Sequence, residues 1–317
     1  MPTAEQVKAL AKAHYGLNQE KFTTITLQIA AHEAKIGHLV LADELKKIID
    51  NSRENKPKLN IIDNDLQGLL IEAQPTERLS DMVLKPAIFE RIKRIEKEFI
   101  QKEKLRRHDM QNRRKILFSG PSGTGKTMTA YVIAHELNLP LNIILMDKLV
   151  TKFMGETSAK LRKVFDFISE GNAVFLFDEF DAIGTERAKD NDVGEMRRVL
   201  NSFLQFIEKD DSDSIIIAAT NNLKLLDQAL FRRFDDVLHY ELPSESEIIK
   251  LIENRLGQYN GNYDLMDIVK TVGQLSHSEI SQACNDAVKE AILTDKKFVE
   301  KEMLIKMIKE RTSVYRR

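Results

Sequence analysis

Residues 118–128 read F-S-G-P-S-G-T-G-K-T-M and match G-x-x-x-x-G-K-[ST], with Gly120 opening the loop and Gly125, Lys126 and Thr127 closing it. The chemistry this spacing suits is the holding of a phosphate chain. Glycine lets backbone N–H groups crowd around phosphate oxygens where a side chain would obstruct or φ must be unusual. Gly120, Pro121, Ser122, Gly123, Thr124, Gly125 and Met128 are therefore expected around the phosphates of a nucleotide. Lys126 should reach its β- and γ-phosphates, and the Thr127 hydroxyl should ligate Mg²⁺. About fifty residues on, 173–179 read A-V-F-L-F-D-E, an apolar strand ending in two carboxylates. Asp178 can bind Mg²⁺ directly or through its waters, and Glu179 is placed to orient and polarise a water for in-line attack on the γ-phosphate. A second such strand, I-I-I-A-A-T-N at 215–221, ends in Asn221, which suits either the attacking water and γ-phosphate or a plain turn. In D-Q-A-L-F-R-R-F-D at 227–235, Arg232 and Arg233 either satisfy helix-terminal carbonyls or supply charge to a phosphate in a neighbouring subunit. Where an arginine finger operates it is worth roughly 10³–10⁵ in rate.

These residues need a scaffold that brings strand ends together. The apolar run 115–118 reads as a strand into the phosphate loop and 128–137 as the helix leaving it, whose N-terminal N–H groups and dipole favour anions. Further strands are expected at 141–145, 173–177, 214–219 and 236–240. Leu161, Val164, Phe165 and Ile168 fall at helical spacing, as does a helix around 199–207. This alternation predicts an α/β fold, a doubly wound parallel sheet with ligands at the carboxyl ends of its strands. After Pro243 the strands stop, and 244–317 reads as a helical lid with Ile280, Ala283, Cys284, Ala287 and Ala291 on one face.

The N-terminal residues 1–52 read as three short helices, a small all-α domain. Val7, Leu10 and Ala11 mark the first, Ile25, Ile29 and Ile36 the second despite an alternating T-I-T-L-Q-I, and Leu41, Leu45 and Ile48 the third. The module either docks a partner or substrate or is a packing extension. Residues 53–78 read as a linker and lead-in, 79–243 as the ATPase core. Residues 85–115 carry twelve Lys/Arg against five Asp/Glu. Ile88, Phe89, Ile92, Ile95, Phe99 and Ile100 there favour an amphipathic helix with a solvated basic face over a nucleic-acid site.

Bulk properties agree with that preference. The 317 residues carry a net charge of −1, so no global attraction to nucleic acid or anionic membrane is expected. A hydrophobic fraction of 42% can build real cores for about two domains. One cysteine, no signal-like start and no long apolar run predict a cytoplasmic protein.

From about residue 79 to 311 the chain resembles an AAA+ ATPase of the AAA family proper, a P-loop NTPase. The resemblance rests on G-P-S-G-T-G-K-T, F-L-F-D-E-F-D-A-I-G, A-A-T-N and L-D-x-A-L-F-R-R-F-D. It implies a homo-oligomeric ring, usually a hexamer, with ATP at subunit interfaces. D-K-L-V-T-K-F-M-G-E-T resembles the pore loop of protein-remodelling members. Carried over, Phe153 and Met154 grip an extended polypeptide and Gly155 lets the loop bend. Arg232 and Arg233 are adjacent where the family spaces its arginines by two, so either is a candidate finger. His277 and Ser278 stand where the family has glycine and alanine near the adenine, and no arginine lies between 274 and 294. A-H-E-A-x-x-G-H-x-x-L-A-x-E-L at 31–45 is similar to small bacterial AAA proteins that accompany a subtilisin-like protease. The competing readings are an ATP-gated switch that recruits a partner without threading, and a DNA-associated AAA+ loader.

Overall fold

The computed structural model describes residues 8–10, 12, 19–38, 41–47, 66, 68–150, 154–183, 193–222, 231–261 and 263–314. The chain divides into two compact units, Met1–Ile61 and Ile62–Arg317.

In the first unit, helix α1 (Gln19–Lys35) buries Ile25 and Ile29 against Ala9, Leu10 and Leu45. The ambiguous T-I-T-L-Q-I is thus helical, because Ile25 and Ile29 share one face at i, i+4. Ile36 departs from the expectation: it lies in the turn beyond the helix and is exposed. Glu33, on the buried side of α1, accepts a hydrogen bond from His38 Nδ1 (2.6 Å), which pulls its carboxyl below the ordinary range. Val7, Ala11 and Ile48 lie outside the described residues.

The second unit is built on a six-stranded sheet in the order β1-β3-β4-β5-β2-β6. Its strands are β1 (Leu70–Ala73), β2 (Lys115–Ser119), β3 (Leu141–Ile144), β4 (Val174–Phe177), β5 (Ile215–Thr220) and β6 (Asp236–His239). All neighbours pair in parallel except β1, which runs antiparallel to β3 at the edge. The parallel strands are near-continuous apolar runs because both faces are covered. Alternate residues divide between the two faces. Leu117, Phe175, Phe177, Ile216 and Ala218 pack against α6 (Met154–Glu170) and α7 (Val193–Lys209). Ile116, Phe118, Val174, Leu176, Ile215 and Ile217 pack against α2 (Pro86–Ile100) and α4 (Lys126–Glu136). Short helices α3 (Lys102–Arg106) and α5 (Met146–Leu149) complete this layer structure.

Two expectations are corrected here. The stretch 53–78, read as linker and lead-in, supplies β1; its burial does not alternate cleanly, since Leu70 is buried and Ile71 and Glu72 are both exposed. On α2, Ile88, Ile92, Ile95 and Phe99 are buried, but Phe89 and Ile100 face outward. Several basic residues of the stretch 85–115 are paired, mostly with acids from elsewhere in the chain. Arg91 pairs with Asp236, Arg113 with Glu98, Lys102 and Arg106 with Asp213, and the buried Arg114 with Asp210. Such pairing reduces the charge excess that a nucleic-acid face draws on.

The C-terminal helices α8 (Glu245–Leu256), α9 (Met266–Val272), α10 (His277–Leu293) and α11 (Lys301–Val314) form a separate apolar core around Ile252, Ile268, Ile280, Ala287 and Leu304. Cys284 is buried within it, and burial pushes its thiol up to about 12, so it is chemically quiet.

Candidate functional site

The carboxyl ends of β2, β4 and β5 lie side by side because these strands are in register: Phe118 pairs with Ala219 and Phe177 with Ala218. The phosphate loop leaves β2 and runs into α4, with Gly125 as the N-cap in the left-handed region (φ 99°). Ser122, Gly123, Thr124, Gly125, Lys126, Thr127 and Met128 line a cleft of about 360 Å³ together with Asp178, Glu179, Asn221, His277 and Ser278. Gly120 and Pro121 do not line it, but their carbonyl oxygens hold Lys126. Lys126 Nζ donates to Gly120 O (2.7 Å), Pro121 O (2.8 Å) and Asn221 Oδ1 (2.8 Å). Burial pushes the Lys126 pKa down, while Asp178 and Asp181 oppose the shift. A desolvated ammonium held only by neutral acceptors is ready to exchange them for phosphate oxygens, which carry full charge.

Thr127 Oγ1 donates to Asp178 Oδ2 (2.8 Å), and Asp178 Oδ1 accepts from the Glu179 amide (2.9 Å). A hydroxyl and a half-exposed carboxylate so placed form a hard-oxygen pair of the type Mg²⁺ takes alongside phosphate oxygens and water. Glu179 is exposed and held at φ 52°, a left-handed conformation that costs an ordinary side chain energy and recurs at functional turns. Asn221 is also exposed; its amide N–H donates to Asp181 Oδ1 (3.1 Å).

Two loop glycines are required by the protein itself. A side chain at Gly120 would sit on the Tyr240 carbonyl, and one at Gly123 on the Ser276 hydroxyl. Gly123 O accepts from the Ser278 amide (3.0 Å), so the first turn of α10 rests directly on the phosphate loop. That turn is organised by a capping box: Ser276 N donates to Glu279 Oε2 (2.6 Å), and Ser276 Oγ accepts from Glu279 N (3.4 Å). His277 is pushed below its ordinary pKa by burial, with Glu247 opposing the shift and Lys85 adding to it.

Arg232 and Arg233 are not brought to this cleft. They sit in the turn before β6, Arg232 exposed and Arg233 beside Glu208 (3.3 Å). Phe153 lies outside the described residues. Met154 and Gly155 open helix α6, so the bend expected at Gly155 is instead the first turn of a helix. The cleft also contains residues that the sequence patterns passed over: Asp81, Met82, Val83, Leu251, Arg255 and Ser281. Leu251 and Arg255 lie at i, i+4 on α8, one face directed at the cleft. No arginine stands between 274 and 294, and Arg255 reaches the cleft from α8 instead.

The family model described as "ATPase family associated with various cellular activities (AAA)" matches residues 116–242. An uncharacterized AAA family ATPase of Sinorhizobium fredii is 33% identical over 307 residues, 95% of this chain and 92% of that protein. A proteasome-activating nucleotidase of Methanococcus maripaludis is 28% identical over 256 residues, 78% of this chain and 58% of that protein. The ATP-dependent zinc metalloprotease FtsH of Parabacteroides distasonis is 34% identical over 196 residues, 59% of this chain but 29% of that protein. With a phosphate loop, a carboxylate pair and a helical lid around one cleft, and near full-length similarity to a AAA ATPase, this chain belongs to the AAA family of ATPases and hydrolyses ATP.

Proposed function

We propose that the chain is a cytoplasmic, ring-forming motor, a hexamer, that spends ATP to remodel or unfold protein substrates through a central pore, with a subtilisin-like protease as a candidate partner. The observation carrying the hydrolytic half is the convergence of Lys126, Thr127, Asp178, Glu179 and Asn221 on one cleft. The protein-acting half is supported by similarity to a proteasome-activating nucleotidase and to FtsH. The protease partner rests on the resemblance at 31–45 alone.

In this reading Lys126 releases the loop carbonyls and takes the β- and γ-phosphates, while Ser122–Thr127 amides cradle the chain. Thr127 and Asp178 hold Mg²⁺, which supplies charge neutralisation at the phosphates. Glu179 orients a water and accepts its proton as the water oxygen bonds to the γ-phosphorus and the bond to the β–γ bridging oxygen breaks, leaving ADP and phosphate. Asn221 marks the position of the γ-phosphate, and His277 and Ser278 face the base end of the nucleotide. Arg232 or Arg233 completes the site of the neighbouring subunit. Phe153 and Met154 grip the substrate. The residues divide as 79–243 for the ATPase core, 244–317 for the lid and 1–52 for docking.

Two variants test the halves separately. Glu179→Gln should bind ATP and lose roughly 10²–10⁴ in hydrolysis, the range of a general base. Phe153→Ala should keep ATP hydrolysis and lose work on an unfolded protein substrate. Undiminished remodelling by Phe153→Ala would sink threading in favour of an ATP-gated switch.

A further inference from the structure

Asp181 stands in the 3₁₀ turn Phe180–Ile183, one residue beyond the Asp178-Glu179-Phe180 sequence at the end of β4. The turn is anchored by Phe180, fully buried and 4.6 Å from the Phe203 ring. The ladder between β4 and β5 ends at the pair Phe177–Ala218. Beyond it the two strands no longer share backbone hydrogen bonds, yet one continues to Glu179 and the other to Asn221. Asp181 spans that gap. Its Oδ1 accepts from Thr220 Oγ1 (3.2 Å) and from the Asn221 amide (3.1 Å). Thr220 is fully buried, and its hydroxyl also accepts from the Asn222 amide (3.1 Å). Asn221 in turn passes the constraint to Lys126 through its side-chain oxygen (2.8 Å).

We propose that Asp181 is a positioning residue for ATP hydrolysis: by accepting from Thr220 and Asn221 it locks the end of β5 to the turn bearing Glu179, so that Glu179 and Asn221 meet one γ-phosphate at a set separation. The inference rests on the reading of Glu179 and Asn221 as the residues at the γ-phosphate. Asp181 touches no nucleotide in this scheme. Its positioning action lies in acceptor geometry, since both its hydrogen-bond partners are neutral donors; its charge acts separately, on Lys126. Catalysis by positioning is steeply distance-dependent, so that a displacement near 1 Å can cost on the order of 10²-fold.

The test measures ATP turnover and ATP affinity on the full chain carrying Asp181→Ala, Asp181→Glu or Asp181→Asn. Ala removes the acceptor, Glu keeps the charge but displaces the oxygen by a methylene, and Asn keeps an oxygen in place without the charge. Expected is a fall in kcat of roughly tenfold or more for Ala and Glu, with KM little changed, and a smaller fall for Asn. Asp181→Ala at wild-type kcat overturns the inference, as does Asn being worse than Glu, which would assign the effect to charge. Equal losses in kcat and affinity would assign a purely structural role and overturn it as well. If Asp181→Ala does not fold, the Glu–Asn ordering decides alone. Glu179→Gln is the control. If it hydrolyses ATP normally, the underlying site reading fails; if it is inactive and Asp181→Ala and Asp181→Glu are normal, only the present inference fails.

Discussion

Lys126 is buried with its ammonium on two loop carbonyls and an asparagine oxygen. Lys126→Met keeps the apolar stem and should retain a folded core while losing the thermal shift that ATP gives. At a ligand concentration 100 times Kd that shift corresponds to about 2.7 kcal/mol, or roughly 5–10 °C for a unit of this size; a variant that still gains it would contradict the phosphate role. Glu179 makes the complementary case. Its φ of 52° favours glycine, so Glu179→Gly should lose hydrolysis yet melt no lower than the wild type. A Glu→Gly change at an exposed helix position costs about 1 kcal/mol by contrast. A clear drop in Tm for Glu179→Gly would show that its side chain holds the fold.

At the scale of elements, the phosphate loop is clamped from two sides before any nucleotide contact is considered. β6 presses Tyr240 against Gly120, and Tyr240 Oη donates to Thr129 Oγ1 (2.8 Å) on α4. The lid helix α10 presses Ser276 against Gly123 and donates from Ser278 to its carbonyl. The lid and loop thus move together or break this contact. Gly123→Ala places a methyl on the Ser276 hydroxyl and strains a φ of 73°. It should push α10 off the loop and weaken ATP binding, as read by calorimetry. An unaltered Kd would mean that the lid contact is incidental to binding.

At the scale of the whole molecule, Arg232 and Arg233 are candidate catalytic residues that lie outside the cleft. In the proposed ring, one or other of them would face the nucleotide of the next subunit. The proposal is testable by complementation. Lys126→Ala abolishes a subunit's own ATP site but keeps its arginines; the Arg232→Ala/Arg233→Ala double variant does the reverse. Each alone should be inactive, the double variant losing roughly 10³–10⁵. Mixed rings should recover part of the activity, because some interfaces then combine an intact site with intact arginines. Absence of any recovery from demonstrably mixed rings would remove the shared-site model.

The readings that came from sequence are local. The loop at 118–128, the carboxylates at 178–179 and the alternation of apolar strands with helices are written contiguously, so periodicity and spacing expose them. Contacts between residues far apart in the chain leave no such trace. Nothing in 66–73 announces an edge strand, because its register is set by β3 some seventy residues later. The charge excess of 85–115 is legible in sequence, but its partial pairing with Asp210, Asp213 and Asp236 is not. Gly120 and Gly123 are expected in sequence for phosphate, whereas Tyr240 and Ser276 give each a second reason that only packing reveals. Asp81, Leu251 and Arg255 enter the cleft from the lead-in and the lid, and Asp181 acquires its role by meeting Thr220 and Asn221 across a strand boundary. The sequence by itself determined which chemistry the chain carries, because that chemistry depends on short runs of residue types. The tertiary structure decided which groups close around it, because their positions depend on strand order and on how the lid packs.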